Sequence, residues 1–116
     1  MPVFTAPATF QNANGTASIG VEVVINTGSE FDLIPETWLE QLHLPVVGEE
    51  EVDVADGIPL RMRIAAVSVT MLGRTRVVNA YVGPADTRPL IGSSTLSDFG
   101  FEVEPEGRLL PQVFRL

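Results

Sequence analysis

The stretch Ile19-Gly20-Val21-Glu22-Val23-Val24-Ile25-Asn26-Thr27-Gly28-Ser29-Glu30-Phe31-Asp32 decides how this chain is read. Ile19, Val21, Val23 and Ile25 alternate with Gly20, Glu22 and Val24, the period of two that marks a strand with one buried face. The strand runs straight into a polar residue, a small hydroxyl residue and a glycine. A side chain at that place is carried by a rigid strand yet presented on a tight loop. Asn26, Thr27 and Gly28 are the residues the strand delivers into that loop.

Outward from this point the chain reads as short strands separated by turns. Val3 to Phe10 is expected to open the fold as a strand, with Pro2 and Pro7 placing it at an edge. Asn12-Ala13-Asn14-Gly15 turns it back. Asn14-Gly15-Thr16 is also a glycosylation sequon, but the turn explains it in a chain without secretory features. After the Asn-Thr-Gly loop, Pro35 is expected to occupy the first position of a short helix. Trp38, Leu39 and Leu42 would share its buried face, and Leu44-Pro45 would end it.

Glu49-Glu50-Glu51 reads as a solvated acidic turn. Val52 to Ile64 reads as a hairpin around Asp56-Gly57. Ala66 to Met71 and a run through Val78, Ala80 and Val82 read as two further strands joined at Gly73-Arg74. Pro89-Leu90-Ile91-Gly92 then precedes Ser93-Ser94-Thr95, a cluster suited to capping a short helix. Leu96 and Phe99 would be that helix's buried residues and Gly100 its stop. Phe101 to Glu104 and Arg108 to Leu116 are expected to pair around Pro105-Glu106-Gly107.

Bulk properties narrow the function. A chain of 116 residues is expected to form one domain spanning residues 1–116. The formal charge of −8 leaves no basic surface to neutralise phosphates, so no nucleic-acid partner is expected. All seven basic residues are arginine. Cysteine is absent, which excludes disulfides and thiolate metal sites, and the single His43 cannot build a metal site alone. No metal or cofactor is expected. The N-terminal residues lack a basic region followed by an apolar run, and no stretch approaches the roughly 18 apolar residues of a membrane span. The expectation is a soluble, cytoplasmic protein with no membrane partner.

Three pieces in order carry a family resemblance: Val24-Ile25-Asn26-Thr27-Gly28, Ala55-Asp56-Gly57 in mid-chain, and Leu90-Ile91-Gly92 before a short helix. Over residues 17–104 the chain resembles the retropepsin-like aspartic peptidases, particularly their small stand-alone bacterial members. The resemblance implies an all-β fold, a closed barrel containing a ψ-loop with one or two short helices, acting as a C2 homodimer. It also implies an aspartic endopeptidase in which two carboxylates about 3 Å apart share one proton and activate a water. One Asx-Thr-Gly supplies half of that pair, so a second copy must supply the rest.

Carried over residue by residue, the resemblance puts Asn26 at the catalytic aspartate position. Thr27 would bond across the dimer axis, and the carbonyl of Gly28 would meet an extended peptide or protein substrate. Glu30, Val54, Ala55, Asp56, Gly57, Ile58 and Ile91 would contact that substrate. The mid-chain hairpin would be the flap over it, and Ile34 would join Val54, Ile58 and Ile91 on an apolar cleft wall. Two departures stand out. Retroviral relatives place an arginine after the second glycine, paired with an acid downstream of the triplet. Here Ser93 takes that place, with Glu30 as the acid and Arg88 as the candidate substitute. The other departure is Asn26 itself, an amide that neither carries charge nor takes a proton from water. The chain is therefore expected to be an inactive Asp-to-Asn variant of an aspartic peptidase. The alternatives are a natural pseudo-protease, binding peptides as a dimer, and an unrelated β-rich binding domain.

Overall fold

The structure, a computed structural model, describes residues 3–53 and 57–114. Alternating apolar residues build the first hairpin: β1 (Val3–Gln11) and β2 (Ser18–Asn26) pair antiparallel from Val3↔Asn26 to Gln11↔Ser18. Gly15, at φ 69°, lies in the turn between them. Val23 and Ile25 are fully buried, Ile19 and Val21 partly so, and Gly20 and Glu22 face out, as the alternation requires.

β3 (Leu33–Pro35) is followed by helix α1 (Thr37–Gln41). Pro35 does not open that helix, contrary to the sequence expectation. It closes β3, which runs parallel to a later strand, and Glu36 is the helix N-cap. Trp38 and Leu42 are buried as expected, and Trp38 packs on Phe10 with ring centroids 4.8 Å apart.

The acidic run Glu49-Glu50-Glu51 is strand rather than turn. It lies within β4 (Val46–Asp53), which pairs antiparallel with β5 (Pro59–Met71). Neither face of β4 is deeply buried, so no apolar alternation advertised it. β5 is one continuous strand of 13 residues where two separate segments were expected. Its first part forms the hairpin with β4. Its second part enters the core through Val67, Val69 and Met71. β6 (Arg74–Gly83) returns along β5 from Met71↔Arg74 to Ile64↔Tyr81.

β7 (Leu90–Ile91) is only two residues long, yet it holds the fold's topology together. It pairs parallel with β2 (Val24↔Leu90, Ile25↔Ile91) and antiparallel with β3 (Leu33↔Leu90). β2 and β3, joined by the loop 27–32, are thus split by a strand from much later in the chain, which is a ψ-loop. β3 in turn pairs parallel with β6. The sheet runs β1-β2-β7-β3-β6-β5 and closes where Phe10 of β1 meets Val69 of β5, leaving β4 as an outrigger on β5. The result is an all-β, six-stranded closed barrel of retropepsin-like fold with two short helices.

Helix α2 (Ser93–Phe99) buries Leu96 and Phe99 and ends at Gly100, whose left-handed backbone (φ 73°) terminates it as expected. The Ser-Ser-Thr cluster does not cap this helix. Its N-cap is Gly92, without a side-chain bond. β8 (Phe101–Glu104) and β9 (Arg108–Pro111) form a small outer sheet, the second strand shorter than its sequence predicted. Arg74 fastens the residues that follow. Its guanidinium donates to the carbonyls of Phe99 (2.8 Å), Gly100 (3.3 Å) and Gln112, and lies 4.6 Å from the centroid of the Phe114 ring. No helix among the described residues is long and apolar enough to cross a membrane.

Candidate active site

The end of β2 delivers Asn26 half-buried, with Thr27 half-buried and Gly28 exposed beyond it. The loop's shape is set locally. The Gly28 N–H donates to Oδ1 of Asn26 (2.9 Å), the Ser29 N–H to the Asn26 carbonyl (3.1 Å), and the Ser29 hydroxyl to the Phe31 carbonyl (2.8 Å). These bonds turn the chain within four residues and leave the side chain of residue 26 at the turn's mouth.

Behind the turn sits the segment from β7 into α2. Val24 N–H reaches back to the Pro89 carbonyl (3.0 Å). The Ser93 and Ser94 N–H groups, in the first turn of α2, donate to the carbonyls of Ser29 (2.8 Å) and Glu30 (3.2 Å). These are helix N-terminal donors that have no partner within the helix, and the loop satisfies them. Gly92 makes the close approach possible. A Cβ there would lie 2.6 Å from the Ser29 oxygen and 2.7 Å from the Phe31 oxygen, both backbone atoms.

The sequence reading gave Asp32 no role, and here it is the least expected member of the site. It is 2% exposed. Its Oδ1 accepts the Gly92 N–H at 2.8 Å and its Oδ2 the Thr95 hydroxyl at 2.5 Å. Loss of water raises its pKa above the usual carboxylate range, opposed by the hydrogen bonds from Gly92 and Thr95. The signal in the sequence is slight: an acid directly before Leu33-Ile34, where an apolar strand begins.

Gly57 (φ 78°) and Ile58, both exposed, lie on the descending side of the β4–β5 hairpin. Val54, Ala55 and Asp56, expected to contact substrate from the flap, lie outside the described residues. Ile34 and Ile91, expected on a cleft wall, have no exposed surface. They fill the core behind the loop, because β3 and β7 both point them into the barrel. Glu30 and Phe31 are exposed at the loop's outer side. Phe31 meets Tyr81 edge to face, centroids 5.3 Å apart, beside a cleft of about 330 Å³ that Val47, Glu50 and Ile64 also line. Arg88 is exposed, and no ion pair to it is found among the described residues. Among the described residues, no group of acids and histidine could hold a metal ion.

No family model matches the chain, and no curated protein matches it in sequence. Solved structures do match in fold. The EIAV protease, solved with an inhibitor, superposes with a TM-score of 0.62 at 16% identity, covering 85% of this chain and 89% of that one. The simian foamy virus (mac) protease gives 0.60 at 16% identity, covering 81% and 92%. A retropepsin-like aspartic protease from Rickettsia conorii gives 0.55 at 15% identity, covering 89% and 88%.

Proposed function

We propose that the chain is the subunit of an aspartic endopeptidase whose catalytic carboxylate is replaced by the amide of Asn26, leaving it unable to cut. The observation that carries this reading is the position of residue 26: at the mouth of a ψ-loop, at the end of β2 and braced by β7, in a fold shared with retropepsin-like aspartic proteases. A single chain offers one such residue, so the working unit is a two-fold homodimer that brings two copies of residue 26 together. The β4–β5 hairpin serves as the flap, and an extended peptide lies between it and Gly28.

With aspartate at both copies, the pair would hold one proton, because two like charges so close cannot both ionise. The ionised partner takes a proton from water while that water attacks the peptide carbonyl. The protonated partner hydrogen-bonds the carbonyl oxygen and stabilises its developing charge, and the proton taken from water then passes to the nitrogen as the carbon–nitrogen bond breaks. Asn26 stops this at the first step. Its oxygen, which accepts the Gly28 N–H, is an amide oxygen too weakly basic to take the proton from water, and its nitrogen carries only donors.

Asn26 itself favours a second reading, a pseudo-protease that holds extended peptides uncut. Converting Asn26→Asp separates the two. The peptidase reading expects cleavage of apolar peptide segments, a bell-shaped rate profile on the acid side of neutrality, inhibition by a statine-type mimic, and indifference to chelators. It also expects sedimentation at twice the 12.5 kDa chain mass. A folded Asn26→Asp dimer that cuts nothing in a diverse peptide library, while the parent chain still binds peptides, selects the pseudo-protease. A strict monomer at micromolar concentration, with and without peptide, counts against both.

A further inference from the structure

The loop that carries residue 26 meets β6 on one side, where the Tyr81 N–H donates to the Asp32 carbonyl (2.9 Å), and Gly92 with the first turn of α2 on the other. Among the described residues, four hydrogen bonds cross the junction with Gly92 and α2. Two are backbone bonds from Ser93 and Ser94, at 2.8 and 3.2 Å. The other two end on one side chain, the buried carboxylate of Asp32, which receives Gly92 N–H and the Thr95 hydroxyl. The bonds inside the loop fix only its curvature. They do not fix where the loop sits relative to β7.

We propose that Asp32 is the positioning residue of this site, gripping Gly92 and Thr95 so that the loop presents residue 26 in one fixed place. This rests on reading residue 26 as the catalytic position. Among the described residues, no other side chain bonds Gly92 N–H or the Thr95 hydroxyl. Gly92 has no side chain to offer, Ser93 and Ser94 are exposed, and Ser29 spends its hydroxyl on Phe31. Every buried side-chain nitrogen and oxygen among the described residues has a partner. Removing the carboxylate therefore strands a buried N–H and a buried hydroxyl, and the cheapest escape is for the loop to lift and admit water.

The geometry needs two hydrogen-bonding atoms at residue 32, not a charge. Asp32→Asn keeps an oxygen for Gly92 and turns an amide N–H to the Thr95 hydroxyl oxygen. Asp32→Leu keeps the volume and loses both bonds.

Amide hydrogen exchange on the chain as given tests this without any activity. Asp32→Leu is expected to speed exchange at Gly28 and Gly92 about tenfold or more relative to Val67 and Val69 in the core of β5, and Asp32→Asn to leave all four near the parent. If Asp32→Leu fails to fold, Thr95→Val carries the test, with a local rise of about threefold at Gly92. In the Asn26→Asp protein, Asp32→Leu is expected to lower kcat on the order of a hundredfold with KM little changed, and Asp32→Asn to restore it. Unchanged local exchange, a rise shared equally by Val67 and Val69, or an Asp32→Asn as damaged as Asp32→Leu overturns the proposal. An Asn26→Asp protein that never cleaves defeats only the reading of residue 26, because the exchange result still decides the role of Asp32.

Discussion

The hydroxyl of Tyr81 donates to Oε2 of Glu50 across 3.0 Å, tying the outrigger strand β4 to the barrel wall over the intervening strand β5. Tyr81 is buried and Glu50 exposed, so the bond reaches from the protein interior to its surface. Burial comes first in holding the Tyr81 proton, followed by the bond to Glu50 and the charges of Glu50 and Glu30, and together they push its pKa above the usual tyrosine value.

Tyr81 is the chain's one tyrosine, so phenolate absorbance reports on it alone. Its titration midpoint is expected above the ordinary value of about 10, and Glu50→Gln is expected to lower it. The linked stability is present below the ordinary value and lost as pH rises through the folded one. A parent midpoint at or below the ordinary value would show that the contact is not kept in solution. Tyr81→Phe is expected to cost about 0.5–1.5 kcal/mol in urea unfolding, with exchange quickening in β4 before the rest of the barrel.

Asp32 gives a pH dependence of opposite character to the usual surface carboxylate. Its folded pKa is raised, so the folded state holds the proton longer than the unfolded chain does. Its contribution is fully present below the ordinary aspartate value of 3.8 and is lost as pH rises through the folded value. Glu30 and Asp98, which line the same cavity, are common to both proteins when Asp32→Asn is compared with the parent. The difference in unfolding free energy is expected to move in favour of Asp32→Asn as pH rises from about 3 to 8. A difference that stays flat, or moves the other way, refutes the burial argument.

Gly92→Ala places a methyl group against two backbone oxygens that cannot swing aside. Its φ of −100° is open to any residue, so the penalty is contact alone. The expected cost is about 1–3 kcal/mol. Gly20→Ala, with nothing within 4 Å of the added carbon, serves as the control and is expected to be near neutral or slightly stabilising. Equal midpoints for the two variants would contradict the close packing of loop and helix.

Arg74→Met keeps most of the side chain's apolar stem and removes its donors to Phe99, Gly100 and Gln112. The Gln112 N–H, bonded to the Gly100 carbonyl at 2.9 Å, is expected to exchange faster, together with a global loss of about 1–3 kcal/mol. If Gln112 stays as protected as in the parent, the segment is held by Phe114 packing and not by the guanidinium.

Much of this architecture is legible in the chain because its strands have one buried face. Val23 and Ile25, Val67 and Val69, and Val78 and Ala80 all fall where alternation puts them. Gly100 ends its helix for a reason written in its own chemistry. What local pattern misses is set by partners distant in sequence. Glu49 to Glu51 become strand because β5 lends them a hydrogen-bonding edge, while both faces stay wet. Pro35 ends a strand because β6 lies parallel beside it. Ser93, Ser94 and Thr95 look like caps, yet the backbone of α2's first turn donates to the 27–32 loop and Thr95 turns to Asp32. Asn26 stood out because the strand before it was plain. Asp32 did not, because burial of an acid depends on donors that arrive sixty and sixty-three positions later.

The two residues of β7 also set an order of events during synthesis. Val24 and Ile25 cannot acquire their parallel neighbours until Leu90 and Ile91 have left the ribosome, more than half the chain's length later. Until then β2 and β3 face a gap, the barrel is open, and the Asn26 loop has nothing behind it. Closing so distant a contact is entropically late and kinetically slow. The nascent chain therefore carries the Asn26 loop unformed through most of translation, and that loop takes shape only as the last third of the polypeptide docks.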